Sequence, residues 1–159
     1  MKRFTSFVIS IAFLTLFLIM YSQFAADAAT KMDYENFSVE LPQNWTAEKD
    51  TNGNFISFFS ADGSEVLQIF VKRPFNTMSS KEFADSVCAR SDGYDFKDNG
   101  DGLYSFKYNL HEVECRELVG VYGNTAIAIV TAGKSAELKA LAASIGIKIL
   151  FNPKTESLF

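Results

Sequence analysis

Strict alternation of apolar and polar residues marks the first predicted strand of this chain. Residues 37–41 alternate strictly and predict a strand, which Pro42 ends because proline cannot donate to a strand ladder. Two more strands are predicted over residues 55–60 and 65–72, with an Asp-Gly turn at residues 61–64 between them. Both of these strands carry bulky apolar residues on both faces, which is typical of a sheet that is covered on both sides.

Helical spacing replaces alternation at two places. Ser79 and Glu82 have the spacing of a capping box and predict a helix that begins after Ser79. A second helix is predicted to begin near Ser135 and to end at Gly146. The apolar face of the first helix is formed by Phe83, Ala84, Val87 and Cys88.

The stretch between the two helices predicts a β meander. Its strands are residues 103–110, 113–122 and 125–131, and the last two are joined by Gly123-Asn124, a two-residue hairpin signal. About six strands paired antiparallel, with two main helices packed on the faces of the sheet, are an α+β layout, which is the fold class that this order of elements predicts. In the predicted strand over residues 103–110, we expect Tyr104, Phe106, Tyr108 and Leu110 to point inward.

The N-terminal residues have the three parts of a secretory signal peptide. Two basic residues precede an apolar run over residues 4–21, and a small-residue cleavage site follows at Ala26-Asp27-Ala28. We predict cleavage after residue 28, a single soluble domain over 29–150 and a loose tail over 151–159. An uncleaved anchor is the alternative, since about 18 apolar residues can just span a bilayer.

Charge and composition narrow the function classes. The chain has 159 residues, with 15 Lys and Arg against 19 Asp and Glu, for a formal net charge of −4. An acidic balance disfavours nucleic acid and anionic membrane surfaces as partners. The signal peptide predicts a periplasmic or secreted protein with no stable membrane insertion after cleavage.

The opening strand carries a resemblance to a known family. Residues 37–45, Phe-Ser-Val-Glu-Leu-Pro-Gln-Asn-Trp, resemble the F-x-V-x-L-P-x-x-W opening of bacterial exported domains with the PsbP-like fold. That group is named after an extrinsic subunit of photosystem II, and a Ran-binding nuclear import factor shares its fold. The element order agrees over residues 37–148. The resemblance implies α/β/α layers and binding or assembly roles, and it brings no catalytic residue.

Two cysteines are placed where they can meet. Cys88 lies on the apolar face of the first predicted helix, and Cys115 lies on a strand that this helix can cover. Export exposes them to an oxidising compartment, so we predict a Cys88–Cys115 disulfide. The alternative is two buried free thiols.

The remaining polar candidates have ordinary structural interpretations. His111 reads as a turn residue, and the aspartates between residues 92 and 101 read as turn formers, so we predict no metal and no cofactor. The alternative of a carboxylate-dependent hydrolase requires a deep cleft that contains several of four acidic residues. These four are Asp95, Glu112, Glu114 and Glu117.

The aromatic excess is the feature that bears on function. Trp45, Phe55, Phe59 and Phe70 form core if the C-terminal helix covers them, and a partner surface if it does not. We therefore predict an exported, non-enzymatic binding or assembly module with a protein partner in the cell envelope. It would act through a protein surface or a small groove near the Trp45 turn, and its weak candidate binding residues are Trp45, Phe59 and Phe70. The alternative is a small-ligand carrier with a cavity lined by Tyr104, Phe106 and Tyr108.

Overall fold

A seven-stranded antiparallel sheet forms the centre of the protein in its computed structural model. The structure describes residues 29–51, 55–75, 78–148 and 155–159, so the predicted signal peptide lies outside the described residues. Within the described residues, no helix is long and apolar enough to cross a membrane.

The elements follow one another in the predicted order. The strands are β1 (Thr30–Asp33), β2 (Phe37–Leu41), β3 (Thr46–Lys49), β4 (Phe55–Phe59), β5 (Val66–Lys72), β6 (Tyr94–Gly100), β7 (Leu103–Leu110), β8 (Val113–Tyr122), β9 (Thr125–Ala132) and β10 (Gly146–Ile147). The helices are α1 (Ser80–Arg90), α2 (Ala136–Ala143) and a short 3₁₀ helix (Thr155–Leu158).

The main sheet has the strand order β3-β4-β5-β9-β8-β7-β6, and every described pairing in it is antiparallel. The strands named from the sequence omit β3, an edge strand of Thr, Ala, Glu and Lys whose pattern carries little apolar signal. They also omit the other edge strand, β6, whose aspartates were expected to form turns. The expectation of a single sheet misplaces β2, which pairs with β1 and β10 in a separate three-stranded sheet.

Both predicted helix starts are confirmed. The Ser79 hydroxyl accepts a hydrogen bond from the Glu82 amide at 3.3 Å, and the Glu82 carboxylate accepts one from the Ser79 amide at 2.8 Å. At α2, the Ser135 hydroxyl accepts from the Leu138 amide at 3.0 Å. Each bond satisfies a backbone donor that the first turn of a helix leaves without a partner.

The two faces of the main sheet are covered differently. On the face that we call the α2 face, α2 and the three-stranded sheet close over a large core that includes Phe58, Leu67, Leu118 and Ile129. On the opposite face, the α1 face, α1 packs on a smaller cluster around Phe106. Three layers result, in agreement with the predicted α+β sandwich.

Part of the predicted loose tail is packed. Residues 151–154 are outside the described ranges, but the side chain of Leu158 is fully buried in the core of the α2 face. The Arg116 guanidinium donates hydrogen bonds to the carbonyls of Leu158 and Phe159 at 3.2 and 3.0 Å. A long-range hydrogen bond of this kind leaves no pattern in the local sequence.

Candidate binding site: an uncovered groove on the α1 face

Helix α1 covers only part of its face of the sheet. The Ser80 hydroxyl fixes its N-terminal end, donating to the Val121 carbonyl at 2.8 Å and accepting from the Val121 amide at 2.9 Å. Its 11 residues span about 16 Å, whereas the ten residues of β8 span about 33 Å. The helix packs beside Val119, and the sheet surface from Cys115 toward the β7–β8 turn extends beyond it.

The uncovered part of this face is an apolar groove with a volume of about 380 Å³. Strands β4, β5, β7, β8 and β9 all contribute to it. Its apolar lining includes Phe59, Val66, Tyr108, Leu110, Val113 and Val130. We call this surface the α1-face groove.

The rim of the α1-face groove is the hairpin between β7 and β8. Leu110 is 55% exposed and Val113 is 50% exposed, so two large apolar side chains face solvent side by side at the ends of these strands. His111 and Glu112 between them have positive φ angles of 47° and 71°, which confirms the prediction that His111 is a turn residue. Leu110 was expected to point inward to a core; it is exposed because α1 ends before it reaches this end of β7.

The floor of the groove holds one polar pair. The Gln68 side-chain amide donates to the Ser57 hydroxyl at 2.9 Å, across β5 and β4. Each of these side chains therefore has a partner, and the rest of the floor presents mostly carbon atoms to an occupant.

A buried carboxylate adjoins the groove. Glu117 lies on β8 between Cys115, which lines the groove, and Val119, which α1 covers. Its side chain is only 6% exposed, and burial raises its pKa from 4.5 to about 7, while the charge of Arg90 opposes this rise. No described residue donates a hydrogen bond to its carboxylate.

Both cysteines are buried on the α1 face, as predicted, and both are free thiols in this structure. The Tyr108 hydroxyl hydrogen-bonds to the Cys115 sulfur, and the Cys115 thiol donates to the Val113 carbonyl at 3.8 Å. Burial raises the pKa of each thiol, which makes both poor nucleophiles. The Cys88–Cys115 disulfide stays a prediction.

The aromatic residues separate onto opposite faces. Trp45 is 4% exposed in the core of the α2 face, where its indole N–H donates to Glu137 at 3.3 Å. Trp45 is therefore core and leaves little side-chain surface for a partner, and its role as a binding residue stays a prediction. Phe59 lines the α1-face groove, and Phe70 lies beside the α1 cluster with its ring centroid 5.1 Å from that of Phe55. The C-terminal helix covers Trp45 but not these three phenylalanines, because it packs on the other face.

The predicted cavity lined by three aromatics is only partly present. Phe106 is fully buried under α1, where its ring stacks on that of Phe96 with centroids 6.4 Å apart. Tyr104 packs in the same cluster. Tyr108 alone of the three lines the open groove.

The four acidic residues do not line one cleft. Glu114 forms an ion pair with Arg116 at 3.1 Å on the α2 face, whereas Glu117 lies on the opposite face of the same strand. Asp95 pairs with Lys97 at 3.3 Å and with Lys107 at 3.4 Å. The arrangement required for the carboxylate-dependent hydrolase is therefore absent from these residues.

The aspartate-rich segment serves the backbone of β6 and its turn. The Asp98 carboxylate accepts from the Gly100 amide at 2.8 Å. Asp92, Asp95 and Asp101 adopt positive φ angles, a conformation that aspartate tolerates better than most residues. Among the described residues, no group of three or more His, Cys, Asp or Glu side chains could hold a metal ion.

The burial of Glu117 is what sequence reasoning missed. The sequence marks it only as one of four acidic candidates, but it alternates with Cys115, Val119 and Val121, all of which point to the α1 face. A charged residue in an otherwise apolar row of a strand was the signal in the sequence.

Comparison with known proteins identifies the fold. No family model and no curated protein matches the chain. The solution structure of cyanobacterial PsbP (CyanoP) from Synechocystis sp. PCC 6803 is similar, with a TM-score of 0.52 and 11% identity over 76% of this chain and 93% of that one. A crystal structure from Bacteroides thetaiotaomicron has a TM-score of 0.51 and 15% identity over 76% of this chain, which spans about half (49%) of that protein. At these identities the likeness concerns the fold, and this chain has the PsbP-like fold that residues 37–45 led us to expect.

Proposed function

We propose that this protein is an exported, non-enzymatic binding module that holds a small apolar molecule in the α1-face groove. The observation that carries the proposal is that α1 leaves an apolar half of the sheet face uncovered. The predicted signal peptide supports export, to the periplasm or beyond the cell. No cofactor enters the proposal.

The size and lining of the groove suit a small molecule. Ligand pockets are typically about 300–1,000 Å³ and mostly apolar, with a few placed polar groups. The groove, at about 380 Å³, lies in the lower part of this range. An occupant would remove from water the half-buried side chains of Phe59 and Val130, and each Å² of apolar surface so buried contributes roughly 25 cal/mol.

Titration with a neutral fluorescent probe, N-phenyl-1-naphthylamine, tests the proposal. Its emission is expected to rise in a saturable manner on binding, and it should also raise the unfolding temperature by mass action. Val113→Lys places a charge at the groove rim and is expected to weaken probe binding about tenfold or more. The matched control is Met78→Lys, which changes another exposed apolar residue outside the groove lining. Absence of saturable binding to the unchanged protein would overturn the proposal.

The exposed hairpin rim supports a second candidate function, which is docking of a protein partner in the cell envelope. Leu110 and Val113 form an apolar tip that a partner could bury. After mild crosslinking in the native envelope fraction, a partner of this surface should co-purify with the unchanged protein and with Met78→Lys. It should be lost with Leu110→Lys. If the unchanged protein, Met78→Lys and Leu110→Lys capture the partner equally, the tip is excluded as the docking surface.

A further inference from the structure

We infer that the occupant of the α1-face groove is an amphiphile whose polar end donates hydrogen bonds to Glu117, and that an alkylammonium group is the preferred end. This inference rests on the proposed function, and it adds the chemical class of the ligand. The carboxylate would select the head group, and the apolar groove would accept the body.

The first support for the inference is the position of Glu117 beside the groove. On β8 its neighbours on the same face are Cys115 in the groove lining and Val119 under α1. Its cross-strand partner on β9 is Val130, which also lines the groove. The carboxylate therefore adjoins the inner end of the groove, next to two residues that line it, where the covered and uncovered parts of the face meet.

The missing partner of Glu117 is the second support. Buried polar side chains nearly always have a hydrogen-bond partner, because an unpaired one loses its hydration without compensation. No described residue supplies one to Glu117, although its side chain is more than nine-tenths buried. No cation of the described chain lies within ion-pair distance of it either.

None of the titratable groups that face Glu117 donates a hydrogen bond to its carboxylate. These are Cys88 and Arg90 from α1, Cys115 from its own strand and Tyr108 from β7. The Tyr108 hydroxyl is already engaged with the Cys115 sulfur, and Arg90 attracts the carboxylate only at a distance. A molecule that enters the groove can therefore supply donors that the described residues do not.

The chemistry of the carboxylate ranks the possible head groups. An ammonium group offers three donors and an opposite charge, so it forms charge-assisted hydrogen bonds. A hydroxyl offers one neutral donor. A second carboxylate would be repelled by the ionised Glu117. The expected order of affinity is amine, then alcohol, then acid, for alkyl chains of the same length.

Displacement of bound N-phenyl-1-naphthylamine by octylamine, 1-octanol and octanoate tests this order. At about pH 8 the Glu117 carboxylate is ionised and the amine is protonated. Octylamine is expected to displace the probe at a concentration about tenfold lower than 1-octanol, and octanoate to be weaker than both. In Glu117→Gln the preference for the amine should fall to within about threefold. Glu114→Gln, which neutralises a carboxylate on the opposite face of the same strand, should retain it.

Lowering the pH supplies a test that needs no substitution. Protonation of Glu117 below pH 7 removes its charge, so the amine preference of the unchanged protein should shrink at about pH 5.5. Equal displacement by octylamine and 1-octanol at about pH 8 would overturn the head-group inference and leave the groove proposal standing. An amine preference that survives in Glu117→Gln would also overturn it. Failure of the probe to bind at all would instead count against the proposed function.

Discussion

Glu117 also makes the stability of the fold depend on pH. Comparing the free energy of unfolding of Glu117→Gln with that of the unchanged protein measures this effect. Raising its pKa from 4.5 to about 7 means that the folded protein favours the neutral carboxyl. Each pKa unit corresponds to about 1.4 kcal/mol, so the ionised residue destabilises the fold by about 3 kcal/mol relative to the neutral one. In Glu117→Gln the side chain keeps its size and has no charge to bury.

The direction of the effect follows from proton binding. Between about pH 4.5 and pH 7 the folded state holds a proton on Glu117 that the unfolded state has lost. The contribution of Glu117 to stability is therefore fully present at low pH and is lost as the pH rises through about 7. Relative to the unchanged protein, Glu117→Gln should gain about 3 kcal/mol in its free energy of unfolding between about pH 4.5 and pH 8.

Urea unfolding at a series of pH values, followed by circular dichroism, measures this difference. Comparing variants at each pH is necessary because other carboxylates act in the opposite direction. Hydrogen bonds and ion pairs lower the pKa of Glu65 and Glu114, so these residues add stability as the pH rises toward about 4.5. Their contributions cancel between the unchanged protein and Glu117→Gln. Glu114→Gln is the matched control: the pKa of Glu114 lies below 4.5, so its stability difference from the unchanged protein should stay nearly constant between about pH 5 and pH 8.

The reasoning is refuted if the stability difference between Glu117→Gln and the unchanged protein stays constant across this pH range. Such a result would mean that the Glu117 carboxylate is hydrated or paired in the folded state. A difference that changes in the opposite direction would mean that the folded protein stabilises the ionised form.

Three further substitutions test the packing. Ser79→Ala removes the N-cap of α1 and should cost about 1 kcal/mol in urea unfolding, whereas Ser86→Ala on the exposed side of that helix should cost nothing. Gly93→Ala places a methyl group 2.6 Å from the Cys88 sulfur and should cost about 1–3 kcal/mol; stability equal to that of the unchanged protein would contradict the close packing. Leu158→Ala should cost about 2–5 kcal/mol if the C-terminal residues are core, and almost nothing if they are loose.

Local signals in the sequence determined most of the secondary structure. The capping box at Ser79, the Asp-Gly turn before β5 and the Gly-Asn turn before β9 each act through residues that are neighbours in the chain. Alternation and helical spacing then identified the elements, because a half-buried strand or helix must repeat its apolar residues with its own period. Strand β3 was missed because an exposed edge strand needs no such repeat.

The candidate site depended on contacts between distant residues. The sequence showed that both faces of the sheet are apolar, but not that α2 packs over Trp45 while the end of the α1 face stays open. It marked Glu117 only as one of four acidic candidates, whereas the burial of this residue follows from the strands on either side of it and from α1 above. Neighbouring residues encode turns, caps and periods by themselves. The extent to which a helix covers a sheet, and the pKa of a residue beneath its edge, exist only once the chain has brought those elements together.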